Sequence, residues 1–573
     1  MKVLFDHIGK YKTASILSPV FKLLEACFEL TVPLIVAGVI DNGINKGDLD
    51  YVWSHVPILV LFAVVGFISA ITAQYFAAYS ACGISSAIRK SLHDKIQTLS
   101  VSDYEKIGSS GIVTLLTSDV NQIQAGINLF LRLLLRSPFI VFGACIMAAV
   151  VKPSMALIFV CCTAILAVVV ALNMKFSIAR HKEAREGLDS LVKKTANGIS
   201  GERVIRGFNK TSEDYSKFSE KNRKLNVSQT KAADFASWLN PLTYATVNLA
   251  ICVLIYRGSI HFNAGTLTDG QVVALYNYMS QILIELVKLA NLIVTVSRSY
   301  ACIKRAEGLL NVKSTANNGT VVLPSSVPLS VSMRNVSFTY EGNNEESVKD
   351  FSVDIMPGET IGIIGSTGCG KSAAAALIAG IYDCQQGEVL INGVNVREIA
   401  HSSLSDSIGM SLQKTRLFKG SLKDNITLGR AALTEDDINE AVRISCCDGV
   451  VASKDEGIEY VITDGGAGLS GGQRQRIGIA RALAGNPGLV ILDDSTSALD
   501  WGTEKKLLKN LDSLDIKPTV ILISQKVRTC MNCDRIILME DGKIEAVAPH
   551  EELLKISENY RYMNSLQMKG GAS

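Results

Sequence analysis

The stretch ALIFVCCTAILAVVVALNM, residues 156 to 174, contains no charged side chain. A bilayer core is crossed by a helix of about 20 mostly apolar residues, because only a helix satisfies its own backbone in lipid. A chain with such a run must therefore place part of itself in a membrane. Runs of this kind fall at roughly 14–40, 57–82, 125–150, 153–175, 237–257 and 270–297, which predicts six spans within the first 300 residues. The composition agrees: 48% of residues are hydrophobic, 19% are charged and the mean hydropathy is +0.26. At 573 residues the chain is also too long for one core, so more than one domain is expected.

The spans are joined alternately by short and long segments. DNGINKGDLDYVWSH, VKPS and RGSIHFNAGTLTDG are expected on one side of the membrane, and segments of roughly 40 to 60 residues on the other. The second long segment carries Arg180, Lys182, Arg185, Lys193, Lys194, Arg203 and Arg206. Basic residues are retained on the cytoplasmic face, so the long segments and, with six crossings, both termini are expected in the cytosol. A signal peptide is the rival reading of the first run. Glu25 and Glu29 lie inside that run and no small-residue cleavage site follows it, which disfavours cleavage. The long segments carry apolar residues at three and four spacing, as in SSAIRKSLHDKIQTL, so the spans are expected to continue as helices beyond the bilayer.

The net charge of +3 is spread over the whole chain. Nucleic-acid binders concentrate basic residues in one domain or stripe, and no such partner is expected. The 13 cysteines fit free thiols in a reducing compartment. Cys530 and Cys533 have CxxC spacing without a second pair or a nearby histidine, so core thiols are preferred over a zinc or redox site.

Asn240, Asn248, Asn277, Gln281, Glu285, Lys288 and Asn291 are polar positions in or near the spans. Such groups are costly in lipid and face a bundle interior or a water-filled path. Glu285 and Lys288, one turn apart, either pair with each other or line a pathway.

After residue 312 the character changes. KSTANNGTVVLPSSVP is polar and rich in breakers, a linker over 313–328 between a membrane domain (1–312) and a second domain (329–573). The second domain alternates strand-like runs (ETIGIIG, EVLING, LVILDD, TVILIS) with helical ones, the rhythm of a largely parallel α/β fold. GSTGCGKS, residues 365 to 372, fits the phosphate-loop pattern between a strand and a helix. Gly365, Gly368 and Gly370 let backbone N–H groups turn toward phosphates at a helix N-terminus. Lys371 is expected to reach the β and γ phosphates, Ser372 to ligate magnesium, and Asp493 to close its strand beside the metal. LSGGQ, residues 469 to 473, leads directly into the helical RQRIGIARAL, a second helix N-terminus suited to phosphate. Two such ends in one domain are explained if two copies meet head to tail.

These motifs resemble those of the ABC exporters, over almost the whole chain. The expected fold is a six-span helical transmembrane domain with long cytosolic extensions, fused to an α/β nucleotide-binding domain. GSTGCGKS resembles the Walker A loop, so the resemblance adds Ser366, Thr367 and Cys369 to the nucleotide contacts. LVILDD resembles Walker B and LSGGQ the signature, with Ser470, Gly471, Gly472 and Gln473 as its contacts. Gln413 in SLQKTRLF resembles the Q-loop glutamine, which implies a third magnesium ligand beside Ser372 and Asp493. Tyr340 in VSFTY resembles the aromatic that stacks on adenine, and Asp500 in SALD the D-loop aspartate. YEKIGSSGIVTLLTSDV and GERVIRGFNK resemble the cytoplasmic loops that carry coupling helices.

Two positions depart from the family's active pattern. The residue after the Walker B aspartate is Asp494 where a glutamate aims the attacking water, and Gln525 in LISQKVRT stands where a histidine is usual. Asp494 is shorter by one methylene, so its carboxylate falls back by about 1.5 Å from a base position that must lie within about 3 Å of its water. With Gln413, these are the candidate catalytic positions. The combination resembles the degenerate-site subunit of a heterodimeric, multidrug-type exporter of the cell membrane. The resemblance implies ATP and magnesium as ligands, a hydrophobic or amphipathic substrate, and a partner half-transporter carrying the glutamate and histidine. An ordinary homodimer moving lipid, peptide or siderophore, and an ATP-sensing membrane regulator, are the alternatives. Thr463 and Asp464 depart from the glutamate of many exporters, with no effect assigned.

Overall fold

A computed structural model describes residues 7–312, 319–324 and 326–569, leaving part of the expected linker outside the described residues. The chain divides into two units, residues 1–95 with 110–312, and residues 96–109 with 313–573.

The first unit is helical. Among the described residues, six helical stretches are long and apolar enough to cross a membrane: Gly9–Ile44, Leu49–Gln97, Ser109–Val151, Pro153–Ser200, Thr211–Asn263 and Asp269–Leu310. Each exceeds the roughly 20 residues of a bilayer crossing, so the helices run on past the apolar segments, as the three-and-four spacing anticipates. The joints are shorter than the sequence suggests, for local reasons. Asp48 accepts a hydrogen bond from the Tyr51 N–H (3.0 Å), which starts the second helix at Leu49 rather than after His55. RGSIHFN continues the fifth helix to Asn263. Thr268 and Gln271 then form a reciprocal capping box that opens the sixth. Lys152 is extended and Pro153 occupies the first helical turn, where its missing N–H costs nothing. The first and last joints meet: Asp41 accepts from the Thr268 hydroxyl (2.5 Å) and the Gly270 N–H (2.8 Å).

Helices in lipid gain little from burying apolar surface and associate through close packing and polar contacts. The Gly270 backbone lies against the Ala37 backbone with no room for a side chain. Tyr278, fully buried, donates its hydroxyl to the Leu30 carbonyl (2.7 Å). Further along the third and sixth stretches, Arg305 grips both Asp119 oxygens at 2.7 Å.

The second unit is α/β. In chain order its strands are β1 (Val331–Phe338), β2 (Val348–Ile355), β3 (Thr360–Gly365), β4 (Gln386–Ile391), β5 (Val394–Asn395), β6 (Ile408–Ser411), β7 (Gly420–Ser421) and β8 (Val461–Ile462). They continue with β9 (Leu489–Asp493), β10 (Thr519–Ile523), β11 (Arg535–Glu540) and β12 (Lys543–Ala548). One four-stranded sheet runs β2-β1-β4-β5, and a six-stranded sheet runs β12-β11-β3-β10-β9-β6. Within the larger sheet every pairing but β11–β12 is parallel. Every residue of β9 and β10 is buried, as expected where helices cover both faces of a parallel sheet. The small β7–β8 pair sits among the helices that carry the LSGGQ segment. Residues 96–109 belong to this unit, so the helix Val101–Ile107 is part of it.

Candidate nucleotide site

Parallel register places the candidate residues side by side. Ile523 of β10 pairs with Ile363 of β3 and with Asp493 of β9. Ser411 of β6 pairs with Leu492 of β9. The loops that leave these four strands at their C-terminal ends therefore line one edge, with neighbouring strands about 4.8 Å apart. They carry Gly365–Gly370 after β3, Gln525 after β10, Asp494 after β9 and Gln413 after β6. A crevice at the carboxyl ends of parallel strands is where open α/β sheets bind ligands.

The phosphate loop runs directly from β3 into the helix Lys371–Ile378. Gly368 and Gly370 take φ values of +87° and +96°, open to glycine without strain. A side chain at Gly370 would also strike the Ser347 carbonyl. Lys371 is buried and folds back to donate to the carbonyls of Gly365 (2.9 Å) and Ser366 (2.7 Å). Cys369 is buried with its Sγ 3.6 Å from the Lys371 Nζ, so its thiol is not offered to solvent.

Asp493 ends β9 and is 5% exposed, its carboxylate accepting from the Ser372 hydroxyl at 3.0 Å. Burial pushes its pKa above the ordinary carboxylate value, and the Ser372 bond only partly opposes this. An ionised carboxylate with a hydroxyl as its close partner is short of positive charge. Hard oxygen donors in that state suit magnesium, and the residues present fit the metal.

Asp494 has φ +46°, the left-handed region that short polar Asp and Asn enter more readily than other residues. Its backbone N–H donates to the Ile523 carbonyl (2.9 Å), and its Oδ2 accepts from Gln413 Nε2 (3.2 Å). Gln525 accepts from the Thr367 hydroxyl at 3.3 Å. Gln525 thus contacts the phosphate loop, and Asp494 contacts the loop after β6.

The other motif residues occupy helix starts and strand ends. Ser470 caps the helix Gly471–Leu483, accepting from the Gln473 N–H (3.2 Å), while Gln473 accepts from the Ser470 N–H (2.9 Å). Gly472 approaches the Ala498 carbonyl where a Cβ would stand 2.8 Å away. Asp500 caps the helix Trp501–Asp512 through Thr503. The Thr503 side chain and backbone bonds hold its carboxyl below the usual range. Tyr340, two residues past β1, stacks edge-on with Phe338 and Tyr382 at 4.9 and 5.4 Å between ring centroids. Burial pushes its phenol pKa up. The Thr463 hydroxyl bonds the Ala467 carbonyl (3.1 Å). Cys530 and Cys533 are buried against Gly362 of β3.

Several residues hold these segments without any local sequence signal. Gln475 bridges the LSGGQ helix to the loop after Asp494, bonding Ser497 Oγ (3.2 Å) and the Ala498 N–H (2.8 Å). Lys526 reaches the Ser497 carbonyl (3.3 Å) and Gln567 donates to the Gln525 carbonyl (2.9 Å). The Arg528 guanidinium lies 3.6 Å over the Trp501 ring centroid, a cation–π contact. The helix Val101–Ile107 is fastened next to Tyr340: Tyr382 donates to Glu105 (2.8 Å) and Lys106 pairs with Glu341 (2.9 Å). Burial, with the Glu105 acceptor, pushes the Tyr382 phenol up.

Comparison with known proteins accounts for both units. Residues 15–286 match the ABC transporter transmembrane region and residues 348–497 match the ABC transporter domain. The chain is 30% identical to the "Uncharacterized ABC transporter ATP-binding protein YfiB" of Bacillus subtilis (strain 168), over 98% of this chain and 97% of that protein. It is 25% identical to the "ATP-dependent lipid A-core flippase" of Escherichia coli (strain K12), covering 98% and 97% of the two. The fold is similar to that of a bacterial Atm1-family ABC exporter solved with ATP bound, with a TM-score of 0.82, 19% identity and 98% of each chain covered. The chain belongs to the ABC transporter family, as a half-size exporter that joins six membrane helices to an ATP-binding domain.

Proposed function

We propose that the chain is the degenerate-site subunit of a heterodimeric exporter, holding ATP at its own Walker motifs and cleaving it slowly. The observation that carries this is that Asp494 and Gln525 both stand at the crevice edge, one bonded to Gln413 and the other to Thr367, beside a complete phosphate loop. The Asp494 carboxylate is short and engaged by Gln413. Gln525 can accept or donate a hydrogen bond but brings no positive charge to a γ-phosphate. A displacement of about 1 Å at such a position can lower a rate about a hundredfold.

In this reading Tyr340 stacks on adenine. Backbone N–H groups of residues 365–370 and the Lys371 ammonium hold the phosphates, with Thr367 and Cys369 in the loop wall. Ser372, Gln413 and Asp493 would hold magnesium, which when bound neutralises phosphate charge. Ser470, Gly471, Gly472 and Gln473 are offered to nucleotide on the partner, and Asp500 orders the loop between the two sites. Closure of the paired domains then turns the membrane domain (1–312) outward through the coupling helices, across the linker 313–328 from the nucleotide domain (329–573). Val204 and Phe208, in and just after the helix Glu202–Gly207, are 62% and 76% exposed, apolar surface suited to a second chain. In this reading both termini and the nucleotide domain lie in the cytosol, which the basic long segments support. The substrate is hydrophobic or amphipathic.

The test is ATPase activity of the purified chain alone and together with a half-transporter that has glutamate after Walker B and a histidine at the switch. Activity that appears only with the partner is expected. Brisk turnover by this chain alone, unchanged by the partner, would sink the proposal.

A further inference from the structure

The first, third and sixth helical stretches bring six charged side chains together inside the membrane unit. Arg136 Nη1 lies 2.5 Å from Glu285 Oε1 and its Nη2 lies 2.6 Å from Glu29 Oε2. Lys288 donates to Glu285 Oε1 at 2.8 Å, and Ser137 to Glu285 Oε2 at 2.7 Å. Lys22 and Glu25 close on each other at 2.5 Å, with Glu25 also 3.8 Å from Arg136. Glu285 and Lys288 thus pair, as their spacing allows, but within a larger set. Arg136 is the centre, and its partner Glu285 is 149 positions away in the chain.

Asp41 and Gly270 mark one rim of the bundle, where the first and last joints meet. At a rise of about 1.5 Å per residue, Glu29, Arg136 and Glu285 stand about 18 to 24 Å below it. That depth lies within a hydrocarbon layer about 30 Å thick.

The charges form an alternating line, Glu29–Arg136–Glu285–Lys288, with the Lys22–Glu25 pair folded against its middle. The two central members are closed off, with side chains 8% and 2% exposed. The two ends are open: Glu29 is 37% and Lys288 41% exposed. Beyond its contact with Arg136, Glu29 leaves Oε1 without a hydrogen-bond partner among the described residues, and Lys288 uses one of three donors. Two buried polar atoms are also unmatched, Nε of Arg136 and Oε1 of Gln281, whose amide donates to the Glu29 carbonyl. A balanced cluster that served only to tie helices together would not leave one negative and one positive end uncovered at this depth, because lipid does not solvate them. The open ends require water, the partner subunit or a polar ligand of complementary charge.

We propose that these open ends, the Glu29 carboxylate and the Lys288 ammonium, form a recognition site for the zwitterionic head of an amphiphile. Its ammonium sits on Glu29 and its phosphate or carboxylate on Lys288. The inference rests on the transport reading and names the substrate class of that pump. A zwitterion completes the alternating line at both ends, whereas a singly charged head satisfies one end and leaves the other bare.

The test uses the full-length chain in phosphatidylglycerol nanodiscs and competition against a fluorescent lysophosphatidylethanolamine. Unlabelled lysophosphatidylethanolamine and Nα-dodecanoyl-lysine carry both charges, with phosphate and carboxylate respectively, and so distinguish a phospholipid from an acylated amino acid. Lysophosphatidic acid and dodecylamine carry one sign each. At least one zwitterion is expected to bind about tenfold tighter than either singly charged probe, the scale of one charge-assisted hydrogen bond. Glu29→Gln should weaken dodecylamine and spare lysophosphatidic acid, and Lys288→Gln should do the reverse. Both variants leave the Arg136–Glu285 pair in place, and monodisperse elution checks that they fold. Equal affinity for all four probes, or variants that weaken both singly charged probes alike, overturns the site. If that happens while ATP-driven dye uptake into vesicles persists with a partner subunit, only the headgroup site falls. Loss of uptake as well removes the transport reading on which it stands.

Discussion

Two buried carboxylates, one in each unit, are compensated in opposite ways. Asp493 in the nucleotide domain is 5% exposed, with a neutral hydroxyl as its hydrogen-bond partner. Glu285 in the membrane domain is 2% exposed and is held by Arg136, Lys288 and Ser137. Each carries a charge that an apolar surrounding disfavours. The first is left short of positive charge, which suits a site that takes up a metal and gives it back. The second has its compensation built in, which suits a permanent element of the fold. Burial alone does not mark a binding site; the state of the partner does.

The contrast is tested most severely by Glu285→Ala. It would leave Arg136 buried without its closest partner, at a cost of about 3–5 kcal/mol, read as loss of folded, monodisperse protein. Replacing Arg136 and Glu285 together with methionine should recover part of that loss, because Glu29 and Lys288 then lose their partners but are only partly buried. Recovery would show that the pair is balanced rather than indispensable.

On the nucleotide side, Asp494→Glu with Gln525→His should raise hydrolysis at this site about a hundredfold. It is measured in a heterodimer whose partner glutamate has been changed to glutamine. Asp494 sits at φ +46°, where glutamate is less at ease than aspartate, so the gain should come with a small loss of thermal stability. Unchanged hydrolysis would mean that these two positions do not limit the chemistry. Lys371→Ala should weaken binding of a fluorescent ATP analogue roughly 10- to 100-fold, the scale of one or two charged hydrogen bonds.

Asp493→Asn inverts the usual expectation for a site residue. Burial raises the Asp493 pKa, so the carboxyl favours folding while protonated, and that contribution is lost as pH rises through its raised value. Without nucleotide or magnesium the asparagine variant should melt higher than the parent at neutral pH, and the difference should shrink as pH falls through the carboxylate range. Thermal scans from about pH 7.5 down to about pH 4, near the ordinary carboxylate value, read it. With magnesium and ATP the parent should regain the advantage. A variant less stable at neutral pH would show that Asp493 is not short of positive charge. The smallest effect is expected from Ser470→Ala, which removes one cap of the LSGGQ helix and should cost about 1 kcal/mol by denaturant titration of the nucleotide domain.

The nucleotide site was largely legible because its chemistry is written in contiguous runs. GSTGCGKS follows its strand and opens its helix, and the parallel sheet delivers Asp493, Asp494, Gln413 and Gln525 to the same edge. What could not be read was how those segments are braced. Gln475, Lys526 and Gln567 act across gaps of 22 to 42 positions, set by where helices pack on the sheet. In the membrane domain the one-turn spacing of Glu285 and Lys288 leaves pairing and pathway lining both open, and the structure shows the pair, while nothing local marks Arg136 as its centre. It sits at the start of an apolar run, and its partners are on two other helices. The short joints are shorter than the apolar pattern predicts because Asp48 and Thr268 are helix caps, and hydropathy does not register capping.

Hydropathy, helical period and the phosphate-loop spacing are properties of neighbouring residues, so six membrane helices and an α/β nucleotide-binding domain with a phosphate loop were decided by the sequence alone. Which carboxylates are compensated, which are left short of charge, and which ends of a charge line stay open were decided only in the tertiary structure. Those outcomes depend on distances of a few ångströms between residues more than a hundred positions apart, and on burial that weakens screening by water.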